Sequence, residues 1–230
     1  MNILVLGSNS DIAMETILQS KYKNYNFFLI SKNEKVLKQN IEILINNKIN
    51  IQGNFALDLN DFDQIKIFIE NLNFYPDIIF VSSGIMFKNE FEKIEEIIKT
   101  NYSGIVLFLE FLTHKYYYNI KQIIVITSVG GEVGKKENKI YGSAKGGLSL
   151  YLDGLRESLK NDIIVTNIKL GYVFTKMTSD LNLPKLISSN KMKVGLKINN
   201  YFLKNKKNVY LPLYWFFIIF LYRIFKLFKI

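Results

Sequence analysis

Apolar residues along this 230-residue chain fall into two alternating patterns. Short strand-like runs occur at Ile3–Leu6, Phe27–Ile30, Ile51–Ala56, Ile78–Val81, Ile123–Thr127, Ile163–Ile168 and Val209–Leu211. Between them lie longer stretches with helical spacing, near residues 11–22, 33–47, 61–72, 91–117, 140–160 and 188–204. A strand that is apolar on both faces must be covered on both, as in a parallel sheet between two helical layers. With right-handed crossovers, the predicted fold class is α/β: a doubly wound, seven-stranded parallel sheet flanked by helices. The stretch from Gly171 to Ser188 has poor periodicity and contains Pro184. It reads as a loop over the C-terminal edge of the sheet, where such folds bind ligands. Residues 1–211 are expected to form one domain and residues 212–230 a basic, aromatic helical tail.

The tail changes the picture at one end. Leu213 to Tyr222 is an unbroken apolar run, followed by Arg223, Lys226 and Lys229 among Ile, Phe and Leu. A helix from Leu213 to Ile230 would be about 27 Å long, against a hydrocarbon core of about 30 Å, and its last third carries three cations. That suits an interfacial helix on anionic lipid better than a spanning one, with Lys204, Lys206 and Lys207 adding to the attraction. Packing of the tail on another subunit, in a homo-oligomer, or over the protein's own core is the alternative.

The charge distribution agrees. All twenty acidic residues lie at or before Asp180, whereas the last fifty residues hold ten of the thirty cations, so the net charge of +10 is local to that end. This argues against a generally basic nucleic-acid binder and for a local electrostatic role of the C-terminus, where the tail's pattern makes a membrane surface the expected partner. With no signal-peptide pattern ahead of the first strand, a cytoplasmic protein is expected, peripheral on the inner face of the cytoplasmic membrane. The absence of cysteine excludes disulfides, thiolate catalysis and cysteine-ligated metal, and no metal is expected. The only histidine, His114, falls in an apolar-aromatic stretch and reads as a packed or interfacial side chain.

Candidate chemistry centres on Tyr141-Gly142-Ser143-Ala144-Lys145, with Ser128 upstream at the end of a strand. Tyrosine and lysine at i and i+4 share a helix face, and a nearby ammonium favours the ionised phenol. A serine there can add a hydrogen bond to a substrate oxygen, giving acid/base chemistry without histidine or metal. At the other end, the first strand runs into Gly7-Ser8-Asn9-Ser10-Asp11-Ile12-Ala13, a turn that lets backbone N–H groups approach a pyrophosphate. Asp11 is read as the helix cap, its charge directed away from the phosphates. Ser31 and Lys32 after the second strand offer a donor and a positive charge to a 2′-phosphate, which favours NADPH (or NADP) over NADH. Asp58-Leu59 follows the third strand, where a carboxylate can bond the adenine amino group, and Ser82-Ser83-Gly84 makes a tight turn after the fourth.

In this order and spacing these elements resemble the short-chain dehydrogenase/reductase family, over essentially residues 1–211. The resemblance implies a Rossmann-type nucleotide fold and an NAD(P)-dependent oxidoreductase. It implies a catalytic tetrad of Asn101, Ser128, Tyr141 and Lys145, with Lys145 also bonding the nicotinamide ribose and Asn101 holding a proton-relay water. It assigns Gly171, Val173 and Thr175 to the cofactor as the family's Pro-Gly turn and following threonine. Asp11, Ala13, Ser82 and Leu170 depart from the family pattern. The run Tyr141 to Leu148, then Leu152 to Arg156, the stretch Gly171 to Thr178 and the ending Tyr210-Leu211-Pro212 look similar to the subgroup of decaprenyl-phosphoryl-2-keto-ribose reductases. That likeness implies a keto sugar on a polyprenyl phosphate as substrate, and a separate flavin-dependent oxidase as partner. Residues around Met86–Lys88, Val129–Lys139 and Tyr172–Leu186 are expected to contact the substrate. Two other readings stay open: a soluble carbonyl or nucleotide-sugar reductase with an oligomerisation tail, and a non-catalytic NADP-sensing protein.

Overall fold

The computed structural model describes residues 1–87, 91–159 and 162–227. Lys88, the end of the predicted helix 140–160, and Lys229 with the end of the tail lie outside the described residues. In chain order the strands are β1 (Asn2–Leu6), β2 (Asn26–Ser31), β3 (Asn50–Ala56), β4 (Ile78–Val81), β5 (Gln122–Ser128), β6 (Ile164–Leu170), β7 (Val173–Phe174), β8 (Ser189–Asn190) and β9 (Asn208–Leu211). The helices are α1 (Asp11–Leu18), α2 (Glu34–Asn46), α3 (Phe62–Asn71), α4 (Ile94–Ile98), α5 (Gly104–Tyr116), α6 (Lys139–Ser158), α7 (Lys191–Asn199) and α8 (Tyr214–Leu227).

Seven strands form one parallel sheet in the order β3-β2-β1-β4-β5-β6-β9, the doubly wound sheet that the apolar runs predict. Successive residues of β1 serve opposite layers. Leu4 and Leu6 pack with α3, α5 and α6, whereas Ile3 and Val5 pack with α1, α2 and α7. The chain moves outward from β1 to β3 and then crosses back to β4. This reversal opens a crevice at the C-terminal ends of β1 and β4, the place where such sheets bind ligands.

The structure departs from the periodicity in three places. The stretch 91–117 is not one helix: a 3₁₀ turn at Phe91–Lys93 and α4 are followed by a π-type segment at Lys99–Ser103 before α5 begins. Asn101 is fully buried in that segment, and its amide bonds the backbone of Ile85 and Ile97, so a wider turn accommodates a polar side chain directed inward. The helix expected over 188–204 is confined to Lys191–Asn199, because the buried Gln122 side chain takes the backbone of Tyr201, Leu203 and Lys204 in a different course. The loop after Gly171 contains its own two-stranded parallel pair, β7 with β8. His114 is exposed on α5 rather than packed.

The tail folds back onto the domain. Trp215 and Ile219 on one face of α8 pack with Val129 and Val133, and Tyr172 meets Trp215 edge-on at 5.1 Å between ring centres. The bare Cα of Gly171 makes this possible, since a methyl group there would overlap the Trp215 indole. Arg223 Nη2 donates to Glu132 Oε2 at 2.5 Å, and Glu132 also pairs with Lys169 and accepts from the Tyr210 hydroxyl at 3.3 Å. The opposite face leaves Phe216, Phe217, Phe220 and Leu221 exposed. No helix among the described residues is long and apolar enough to cross a membrane. Trp215 is the only tryptophan, so its fluorescence reports docking of the tail. Gly171→Ala should shift its emission to the red and lower unfolding stability by about 1–3 kcal/mol, and an unchanged spectrum would contradict this packing.

Candidate active site

The first turn of the sheet prepares one end of the crevice. Gly7 ends β1 at φ 81°, and a side chain there would lie 2.5 Å from the Ser83 backbone nitrogen. Only glycine combines that backbone angle with that approach. Ser10, not Asp11, caps α1: its hydroxyl accepts from the Ala13 N–H at 3.0 Å and meets the Ser82 hydroxyl at 2.6 Å. The expected capping role of Asp11 is thus corrected, because residue 10 holds the extended backbone that a cap requires. The Asp11 carboxylate does point away from the loop, onto the Lys176 N–H at 2.7 Å and the Lys191 ammonium at 3.1 Å. Burial works against its ionisation, but these partners outweigh it and hold the carboxyl below its ordinary range. Asn9 is bonded to Asn33, the cap of α2, and to Asn40 in its middle. The first turn of α1 leaves backbone N–H groups for an anion.

A cleft of about 1420 Å³ runs from this loop along the strand ends. Gly7, Asn9, Ser10, Asp11, Ile12, Ser31, Lys32, Asp58, Leu59, Ser82, Ser83 and Gly84 line it, together with Ser128, Tyr141, Lys145, Gly171, Val173 and Thr175. Two expected site residues do not. Ser8 is buried and its hydroxyl donates to Ile30 O at 3.2 Å, while Asn101 stands behind Gly84. At the far end Lys32 and Asp58, expected to serve separate parts of a nucleotide, form an ion pair at 2.8 Å. Burial opposes ionisation of Asp58, but bonds from Lys32 and Asn60 prevail and keep its carboxyl low.

At the other end Lys145 is 3% exposed, and its ammonium donates to Ser83 O at 3.1 Å and Ile126 O at 3.2 Å. Burial pushes its pKa down from 10.5 to about 8. Tyr141, one helical turn earlier, faces the cleft, with Ser128 beside its phenol. The expected acidification of this phenol by Lys145 is not what the surroundings produce. Burial raises the Tyr141 pKa, and the bond to Ser128 only partly opposes it. The phenol is therefore protonated at neutral pH, the form that a proton donor needs.

Several lining residues escaped the sequence reading. Trp215 and Ile219 close the cleft from the tail, although nothing in an unbroken apolar run marks which of its members turn inward. Within the loop expected to meet substrate, Asn138 lies with Ser128 and Tyr141 around Gly130, and its buried Oδ1 has no hydrogen-bond partner among the described residues. Among the described residues no group of three or more His, Asp or Glu is placed to hold a metal ion.

The family model for short chain dehydrogenases matches residues 1–185, and the chain belongs to that family of oxidoreductases. No curated protein sequence matches it. Among solved structures it is similar to a short-chain dehydrogenase from Sphingobium yanoikuyae in complex with NADPH, at TM-score 0.81 and 16% identity over 100% of this chain and 96% of that one. A variant of actinorhodin polyketide ketoreductase with NADPH gives TM-score 0.78 and 15% identity over 91% and 94% of the two chains. A 3-oxoacyl-[acyl-carrier protein] reductase from Brucella melitensis with NAD gives 0.77 and 18% over 91% and 94%. At these identities the likeness is one of fold.

The buried ammonium has a thermodynamic signature. A lysine pKa lowered to about 8 on folding destabilises the native state fully below pH 8, and the penalty disappears as pH rises from about 8 to 10.5. Relative to Lys145→Met, the wild-type protein should gain on the order of 3 kcal/mol over that window. A stability difference independent of pH, measured by denaturant unfolding, would contradict it.

Proposed function

We propose that the chain is an NADPH-dependent ketoreductase acting on the keto group of a lipid-linked or phosphorylated sugar. The observation that carries the reading is the meeting of Ser128, Tyr141 and Lys145 on one wall of the cleft whose other end is the Gly7–Ile12 loop. Ser31 and Lys32, standing where β2 ends in place of an acidic residue, suit a 2′-phosphate, and the Lys32–Asp58 pair would open to admit it. NADPH in two of the similar structures supports the same choice. When bound, the reduced nicotinamide supplies the hydride.

The remaining steps belong to the chain. Ser128 and Tyr141 donate to the carbonyl oxygen, and Tyr141 gives it the proton as negative charge develops there. Lys145 holds a ribose hydroxyl and restores the phenol proton. Both amide protons of Asn101 are committed to Ile85 O and Ile97 O, so a relay water would donate to its Oδ1, which faces Lys145 across Gly84. The unpaired Oδ1 of Asn138 suits a hydroxyl next to the keto carbon, which favours a sugar over a simple ketone. Gly171, Val173 and Thr175 flank the nicotinamide end.

The outer face of α8 supports the lipid-linked form of the substrate. Its exposed aromatics, with Arg223 and Lys226 beside them and no acid after Asp180, suit an anionic lipid surface. The same helix walls the substrate end of the cleft, which would place the keto group near the bilayer. The subgroup resemblance and its flavin-dependent oxidase partner belong to this reading.

NADPH consumption with a panel of keto sugars should fall by about 100-fold or more in Ser128→Ala, and at least as far in Tyr141→Phe. Equal rates in wild type and Tyr141→Phe would rule out the assigned acid. Exposed-face changes Phe217→Ser and Phe220→Ser should weaken sedimentation with phosphatidylglycerol vesicles and leave turnover of a water-soluble keto sugar unchanged. Equal vesicle binding, or loss of dimer instead, would overturn the lipid-facing role of α8.

A further inference from the structure

We infer that Asp11 is a positioning residue for the cofactor: its carboxylate clasps the segment after β7 onto the nucleotide cleft. The inference rests on the proposed cofactor and is independent of the substrate. Asp11 opens α1 directly after the phosphate loop, and its side chain is only 13% exposed. One oxygen accepts from the Lys176 N–H at 2.7 Å and the other from the Lys191 ammonium at 3.1 Å, with Glu15 also 3.8 Å from Lys191.

These two partners bracket one stretch of chain. Val173 pairs with Ser189 and Phe174 with Asn190, so residues 175–188 form a loop closed at its base. Within it Thr178 Oγ1 donates back to Val173 O at 2.7 Å. Thr175, Met177, Leu181 and Leu183 of this loop line the cleft. A single carboxylate thus holds both ends of the loop to the turn that would cradle the pyrophosphate. A molecule lying between Gly7–Ile12 and Val173–Thr175 would be enclosed by this clasp.

Charge alone predicts the opposite. A carboxylate at the start of α1 opposes phosphate binding, so removing it should tighten NADPH. A clasp predicts weaker binding and faster release, and the sign of the change separates the two. Asp11→Asn keeps an acceptor for the Lys176 N–H and loses the ion pair, whereas Asp11→Gly loses both. Lys191→Met removes the ionic arm through a side chain that does not line the nucleotide cleft.

The test is fluorescence titration with NADPH, stopped-flow release, and limited trypsin digestion at Lys176 and Lys185, on full-length protein checked for unchanged thermal unfolding. We expect the NADPH dissociation constant to rise roughly tenfold in Asp11→Gly, and less in Asp11→Asn and Lys191→Met. Release should quicken in step, and the loop should be cut faster even without nucleotide. Unchanged or tighter NADPH binding in Asp11→Asn and Asp11→Gly would overturn the clasp. If wild type takes up no NADPH, the cofactor assignment fails, and the nucleotide-free cleavage rates still decide whether Asp11 holds the loop. Should Asp11→Gly not fold, Asp11→Asn and Lys191→Met decide it alone.

Discussion

One buried cation constrains the layout of this site. The Lys145 ammonium lies inside the protein, and a buried charge must be met by oriented dipoles. They are the carbonyls of Ser83, just past β4, and Ile126, near the end of β5. Satisfying both requires the first turns of α6 to lie over the C-terminal ends of the two central strands. Tyr141, one turn before Lys145, is thereby carried to the mouth of the crevice, and Ser128, two residues beyond Ile126, arrives beside it. The proximity of phenol, hydroxyl and ammonium follows from the solvation of one lysine.

The two ends of the cleft are built by different means. The nucleotide end is set by strand order: Gly7, Ser10 and Ser82 meet because β1 and β4 are neighbours in the sheet. The substrate end is assembled from distant pieces, with Val129 and Val133 after β5, Tyr172 after β6, and Trp215 and Ile219 from α8. Glu132 joins three of them electrostatically, through Lys169, Tyr210 and Arg223. A charge so enclosed is costly to leave unpaired, so the tail and the loop after Ser128 hold each other in place.

Legibility in the sequence follows the same division. All seven strands of the main sheet were readable: the five inner ones because a parallel strand buried on both faces must be apolar on both, as Ile78–Val81 is, and the more exposed edge strands β3 and β9 by their place in the alternation. The main site residues were readable because their spacing is imposed by strand ends and helix turns. The break at Lys99–Ser103 was not, since the buried positions Ile97, Asn101, Gly104, Ile105 and Phe108 keep helical spacing through it. Nor was the role of Asp11, whose partners lie 165 and 180 positions away. The expectation that Lys145 acidifies Tyr141 rested on spacing alone. It overlooked burial, which raises the phenol and lowers the ammonium together. The inward face of α8 depended on Gly171, a residue with no sequence signal linking it to Trp215.

The most direct measurement of the central constraint is the titration of the Lys145 side chain itself, followed by heteronuclear NMR of lysine-labelled protein with Lys145→Met for assignment. Burial between two carbonyls predicts a midpoint near 8, apart from the other lysines. A midpoint at the ordinary lysine value would contradict the account, because the ammonium would then carry no burial penalty and its place between two carbonyls would not constrain β4, β5 and α6.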